Sequence, residues 1–277
     1  MKSSTSASRP RKTIGLALGS GGIRGLAHVG VIKTLLKYNI PIDFIAGSSI
    51  GAWVGAHYAL FKDIERLEEF TVNHKEEKLR MLLEPTLRGG FIGGDRTRTL
   101  LRNWLEDASF EETQIPLSIV ATDLIRRSMH VFSSAALVPA VQASMAIPGM
   151  FKPVTHHGNT YVDGGVSNPV PCDIVKAMGA DIVIGVNLYR LPPEEPTTLS
   201  SLGFLAVANR TIDIMRNYLA EQLMLHADVR VEPLVESYAA WNRYFREDVG
   251  QQIVEIGEAE MEAAMPKLQA LLTSEKR

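Results

Sequence analysis

Apolar residues follow two alternating rhythms along the first sixty positions. Thr13–Gly19 is a short, nearly continuous apolar run, which at this length predicts a buried strand. Leu26, Val29, Ile32, Leu35 and Leu36 then recur at helical spacing, and Tyr38-Asn39 with Pro41 marks the stop. Ile42–Ala46 predicts a second strand, and the run after Ser49 a helix to about Phe61. This β-α-β-α order implies parallel strands joined by right-handed crossovers. Asp63 to about Leu83 continues as charged amphipathic helix, Glu84–Gly94 reads as glycine-rich loop, and Thr97–Leu105 returns to helix. Further strands are expected at Leu117–Thr122, Met129–Ser133 and Ile182–Leu188, with a short Thr160-Tyr161-Val162 segment before Asp163. Pro192-Pro193-Glu194-Glu195-Pro196 reads as a linker or a surface loop. Beyond it, helices at Leu199–Leu225 and Asp248–Leu272 flank a strand at Val229–Val235.

Composition narrows the class. A chain of 277 residues, 45% hydrophobic and 22% charged, can bury one large α/β core. Residues 1–12 read as a Ser-rich, basic, disordered tail, and 13–277 as one domain: a motif-bearing part, 13–190, and a helical part, 199–277. The net charge of −2 supplies no global field toward nucleic acid. The single cysteine, Cys172, excludes an intrachain disulfide, and no Cys/His cluster has metal spacing, so neither metal nor cofactor is expected. No apolar run reaches bilayer-spanning length. A reducing cytoplasmic location suits this composition.

Three glycine-containing motifs carry the candidate chemistry. Gly47-Ser48-Ser49-Ile50-Gly51 joins a strand to a helix and matches a nucleophile elbow, with Ser49 at its centre. Gly47 and Gly51 are required if a side chain there would strike neighbouring backbone. Upstream, Gly19-Ser20-Gly21-Gly22-Ile23-Arg24-Gly25 is a second strand-to-helix turn, able to present bare N–H groups to a phosphate or an oxyanion. It fails the dinucleotide fingerprint, because position 24 is Arg24 where the third glycine belongs. An oxyanion hole fits better, since its strand and that of Ser49 adjoin in sequence. Asp163-Gly164-Gly165 follows a short apolar strand and reads either as a functional carboxylate or as an Asp-Gly hairpin turn.

A serine nucleophile needs a base, and seven histidines are available: His28, His57, His74, His130, His156, His157 and His226. His28 and His57 fall inside the first two helices, and His156-His157 in a polar turn. Only His226 follows the chain order of an α/β-hydrolase triad, yet those enzymes reach their elbow after several strands. The Ser-His-Asp arrangement therefore fits poorly.

Taken together, Gly21–Gly25, Gly47–Gly51 and Asp163–Gly165, in that order, resemble the patatin-like phospholipase family, and within it bacterial relatives of neuropathy target esterase. Ala143–Phe151 and Asn168-Pro169-Val170-Pro171 support the resemblance, which spans about Thr13 to Leu188. It implies an α/β three-layer fold with a mostly parallel central sheet and helices on both faces. It implies a Ser-Asp dyad, Ser49 as nucleophile and Asp163 as base. The oxyanion hole would come from Gly21 and Gly22, with Arg24 holding that loop. Gly164 and Gly165 would allow close backbone approach. Ser20 departs from the family pattern, in which many members carry another glycine. A solvated carboxylate is a weak base at neutral pH, so Asp163 should be buried with a raised pKa.

The implied substrate is a fatty acyl ester of a phospholipid or lysophospholipid. The implied activity is hydrolysis, with acyl transfer to another acceptor or non-catalytic lipid binding as alternatives. The apolar residues of the Met81–Gly94 loop (Met81, Leu82, Leu83, Leu87, Phe91, Ile92) could touch a membrane surface, line an acyl groove or belong to the core. Arg126-Arg127 could meet a headgroup phosphate or simply be solvated. Oligomeric state is left open.

Overall fold

The computed structural model describes residues 11–69, 71, 84–86, 90–190, 204–238 and 249–274. The first ten tail residues, His74, Met81, Leu82, Leu83, Leu87 and the Pro192–Pro196 segment lie outside these. Strand β1 is Ile14–Leu18 and β2 is Phe44–Ser48, two residues later than the apolar run suggests. The shift follows from Asp43, whose carboxylate accepts from the Ile14 N–H and from the Arg11 guanidinium and so ends the loop there. Helix α1, Ala27–Lys37, is entered through a 3-10 turn at Gly22–Leu26, and α2 is Ile50–Phe61. A short α3, Ile64–Glu68, is described in the region expected to hold a longer helix.

Part of the expected Glu84–Gly94 loop is strand β3, Gly90–Ile92, which pairs with β6, Gly149–Phe151. Between them come α4, Asp95–Leu105, β4, Leu117–Asp123, β5, Ser128–Phe132, and α5, Leu137–Ser144. A hairpin follows, β7, Val154–His156, and β8, Asn159–Val162, turning at His157-Gly158. Then come α6, Cys172–Ala177, β9, Ile182–Val186, α7, Phe204–Leu223, β10, Val229–Val231, and α8, Val249–Thr273.

The main sheet is mixed, so the mostly parallel expectation holds in part, for five of its eight strands. Strands β10-β9-β1-β2-β4 run parallel, while β5, β8 and β7 pair antiparallel. Parallel neighbours need long crossovers, whereas the turns between β4 and β5 and between β7 and β8 span only a few residues and can only reverse the chain.

Helices cover both faces, as expected. Alternate strand positions explain why. Ile14, Leu16, Leu18, Ile45, Ile182, Ile184 and Val186 share one core with α1, α2 and α8. Ala17, Ala46 and Val183 face the other way, against Cys172, Val175 and Met224. Helix α8 lies directly on α1 because Gly30 and Gly257 carry no side chain. A Cβ on Gly30 would come 2.0 Å from the Val254 carbonyl oxygen, and one on Gly257 2.1 Å from that of Ala27.

One register feature positions the site. Val120 of β4 pairs with Ser48 and Val131, and Thr122 pairs with Val162 and Met129. A strand has two edges, so β2 and β8 share the edge of β4 that β5 leaves open. They approach tip to tip, and the residues that follow each tip are Ser49 and Asp163.

Candidate active site

Ser49 leaves β2 with φ 56° and ψ −120°, a conformation that suits glycine and strains any residue with a Cβ. The turn persists because both flanks are glycine. A Cβ on Gly47 would lie 2.4 Å from the Gly51 carbonyl oxygen, and one on Gly51 2.1 Å from that of Leu18. The Ser49 carbonyl accepts from the Ala52 and Trp53 N–H groups and starts α2. Its own N–H donates to Ser144 Oγ at 2.8 Å, and Ser144 Oγ donates to the Val120 carbonyl at 2.6 Å. The buried Ser144 therefore ties the elbow to β4. Ser48 is wholly buried as the last residue of β2.

Ser49 Oγ donates to Asp163 Oδ2 at 2.5 Å, and both residues are buried, Asp163 with 1% of its surface exposed. Asp163 caps a short 3-10 turn, Gly164–Val166, and its Oδ1 accepts the Gly165 N–H at 2.8 Å. The Asp163-Gly164 pair therefore does not close a hairpin. Burial raises the Asp163 carboxyl above the ordinary carboxylate value, against the opposing pull of Arg216, the Ser49 hydroxyl and the Gly165 N–H. Gly164 lets the Val120 carbonyl and Ser48 come close, and Gly165 does the same for Ser20 Oγ, 2.4 Å from where its Cβ would be. The three motifs thus meet at one point.

The glycine loop is pinned from several sides. The Gly19 N–H donates to Val186 and the Ser20 N–H to Pro169, which gives the Asn168–Pro171 stretch a structural purpose. Ser20 Oγ is 2.9 Å from Tyr189 Oη. His28 Nε2 lies 2.8 Å from the Gly19 carbonyl, so the neutral ring donates from that nitrogen, and burial pushes its pKa down to about 4. Arg24 is buried, donates from Nε to the Gly21 carbonyl at 3.1 Å, and stacks over the Tyr189 ring at 4.9 Å. Because the peptide is planar and trans, tying the Gly21 carbonyl one way turns the Gly22 N–H the other way. Among the described residues, neither the Gly21 nor the Gly22 N–H has a backbone acceptor.

A cavity of about 290 Å³ opens here, bounded by Gly21, Gly22, Ser49, Asp163 and Arg216, with Ile147, Met150 and Ile212 as apolar wall. No histidine among the described residues lines it. His226 is exposed at the end of α7, and His130, His156 and His157 sit in an aromatic group with Phe132 and Tyr161. Arg126 and Arg127 are exposed at the β4–β5 turn, outside the cavity lining; Phe91 is 63% exposed, while Ile92 is buried.

Sequence reasoning passed over Ser144, Tyr189 and Arg216. Ser144 lay in a stretch noticed only for its family likeness. Arg216 sits mid-helix, where an arginine ordinarily reads as solvated face. No local signal marked it.

The profile described as Patatin-like phospholipase matches residues 16–176. Patatin-like phospholipase domain-containing protein 6 of Mus musculus is 33% identical over 199 residues, covering 69% of this chain and 14% of that protein. An uncharacterized NTE family protein of Mycobacterium tuberculosis is 37% identical over 185 residues, covering 65% of this chain and 50% of that one. The chain thus spans half or less of these relatives' length. VipD from Legionella pneumophila superposes with a TM-score of 0.52 at 13% identity, over 88% of this chain and 67% of that one, a likeness of fold.

Proposed function

This chain belongs to the patatin-like phospholipase family, related to NTE-family proteins of bacteria, and from that premise we propose that it hydrolyses lipid acyl esters through Ser49 and Asp163. The observation that carries this reading is the buried 2.5 Å hydrogen bond from Ser49 Oγ to Asp163 Oδ2, made at a strained elbow beside a loop whose Gly21 and Gly22 N–H groups have no backbone acceptor among the described residues. Asp163 takes the Ser49 proton as Oγ attacks the ester carbonyl. The tetrahedral oxyanion accepts from the N–H groups around Gly21 and Gly22, whose orientation Arg24 maintains. Collapse expels the alcohol, protonated by Asp163, and leaves an acyl-serine. Water then attacks the acyl carbon, giving its proton to the same carboxylate, and as the intermediate collapses Asp163 returns that proton to Ser49 Oγ, which leaves as the hydroxyl while the fatty acid is released. A raised Asp163 pKa suits this shuttling, because a carboxyl nearer neutrality both takes and returns a proton more readily.

The substrate class follows from family and cavity together. A volume of about 290 Å³ is at the small end for ligand sites, enough for an ester and the nearest part of a chain. The remainder of a phospholipid or lysophospholipid would pass out over Ile147, Met150 and Ile212 toward a lipid surface. No described helix is long and apolar enough to cross a membrane. A fluorophosphonate probe tests the proposal. The native chain should label at Ser49, Asp163→Asn should label far more slowly, and Ser49→Ala should not label. Undiminished labelling of Ser49→Ala would end it.

A further inference from the structure

The family match stops at residue 176, yet a residue forty positions later reaches the dyad. Arg216, on α7, places Nη2 4.0 Å from Asp163 Oδ1, with its side chain only 14% exposed. Its other close carboxylate is Asp213, one helical turn earlier, at 3.9 Å from Nη1. Both separations exceed hydrogen-bonding length, and among the described residues the buried Arg216 Nε has no hydrogen-bond partner. The guanidinium therefore faces Asp163 as a charge, leaving Oδ2 to Ser49 and Oδ1 to Gly165. Among the described residues the remaining titratable neighbour is Tyr189, a buried phenol that hydrogen-bonds the Arg216 side chain and Ser20 and lies under Arg24.

We propose that Arg216 is a positioning residue for the reaction, the cation that keeps buried Asp163 ionised and ready to accept the Ser49 proton. The inference rests on the Ser49–Asp163 reading and extends it to the C-terminal part of the chain, outside the family match. Two forces bear on Asp163. Burial alone favours the protonated form, in which Asp163 could not serve Ser49 as a base. A bidentate ion pair would fix the charge but occupy the oxygens that the reaction needs. A cation at 4.0 Å, inside the same low-dielectric pocket but not bonded, offsets the first without causing the second. The net upward shift of Asp163 agrees with this incomplete compensation. Asp213 draws the same guanidinium toward the mouth and weakens its hold on Asp163.

The test is the pH profile of kcat/KM on a small, neutral, soluble ester, which removes any contribution from binding a phosphate. Arg216→Gln should move the acid limb to higher pH, so that activity at acidic relative to alkaline pH falls on the order of tenfold. Arg216→Lys should restore most of the limb. Asp213→Asn, a change at the exposed mouth that does not disturb the core, should move the limb the opposite way and keeps the test open should Arg216→Gln fail to fold. An unmoved limb in Asp213→Asn, or an Arg216→Lys profile like that of Gln, overturns the proposal. Labelling of the native chain by the fluorophosphonate probe separates the two ideas. Labelling with unmoved limbs sinks only the role of Arg216, whereas no labelling sinks the dyad.

Discussion

Replacing Ser49 by glycine should give a more stable protein than replacing it by alanine. At φ 56° and ψ −120° a Cβ carries strain of about 1–3 kcal/mol, which alanine retains and glycine releases. Both variants lose the same hydrogen bond to Asp163, so that contribution cancels between them. Glycine frees the unfolded chain more than alanine does, which opposes the gain by about 0.4–1 kcal/mol. The difference left is about 1–2 kcal/mol in favour of Ser49→Gly, equivalent to about 2–4 °C in Tm. At a regular helix position the order is the reverse, alanine exceeding glycine by about 0.5–1 kcal/mol, so the sign is diagnostic. Urea unfolding of both variants at neutral pH, with m-values checked for equality, measures it. An alanine variant as stable as the glycine variant would mean that the elbow stores no more strain than about the 0.4–1 kcal/mol that glycine costs through the unfolded chain, and the strain assigned to Ser49 would fall. Neither variant retains the hydroxyl, so the assay reads the backbone alone.

Two glycines of the site should respond very differently to alanine. Gly51→Ala puts a methyl 2.1 Å from the Leu18 carbonyl and 2.8 Å from that of Gly19, both main-chain, and should cost about 3 kcal/mol or more in denaturant unfolding. Gly22→Ala meets open space at φ 57° and should cost only about 1 kcal/mol; equal losses would contradict the packing argument. The third prediction concerns acid. The folded pKa of His28 is about 4 against 6.5 when solvated, so below 6.5 the unfolded chain binds the proton that the folded chain refuses. Its contribution is complete above pH 6.5 and is lost as pH falls toward 4, about 3 kcal/mol in all. His57, also depressed to about 4 by burial, adds a slope of the same sign. His28→Gln keeps an N–H donor without a titrating group and should flatten the fall in stability between neutral and acid pH; a slope equal to that of the native chain would disprove the assignment.

The local constraints of the elbow were legible because they act within five residues. An apolar run followed by G-S-S-I-G and a helix former admits few backbone paths, and strand β2 and helix α2 follow, apart from a two-residue shift set by Asp43. The early parallel order was legible for the same reason, each helix being long enough to serve as a crossover. The strands β6 and β7 were not, since three residues carry no measurable period and pair only where a partner is supplied. Nor was the antiparallel placement of β8, which depends on which edge of β4 remains open after β2 ends. That placement brings the Asp163 carboxylate against the Ser49 hydroxyl, over a separation of 114 residues. Ser144 and Arg216 belong to the same class: each is ordinary within its own helix and acquires a role through one distant atom. Sequence alone determined the longer elements and the motifs, because propensity, periodicity and turn sterics act between near neighbours. The convergence of those motifs, and the cation beside them, was decided by tertiary structure, because through-space contact and charge depend on distance in the fold and not along the chain.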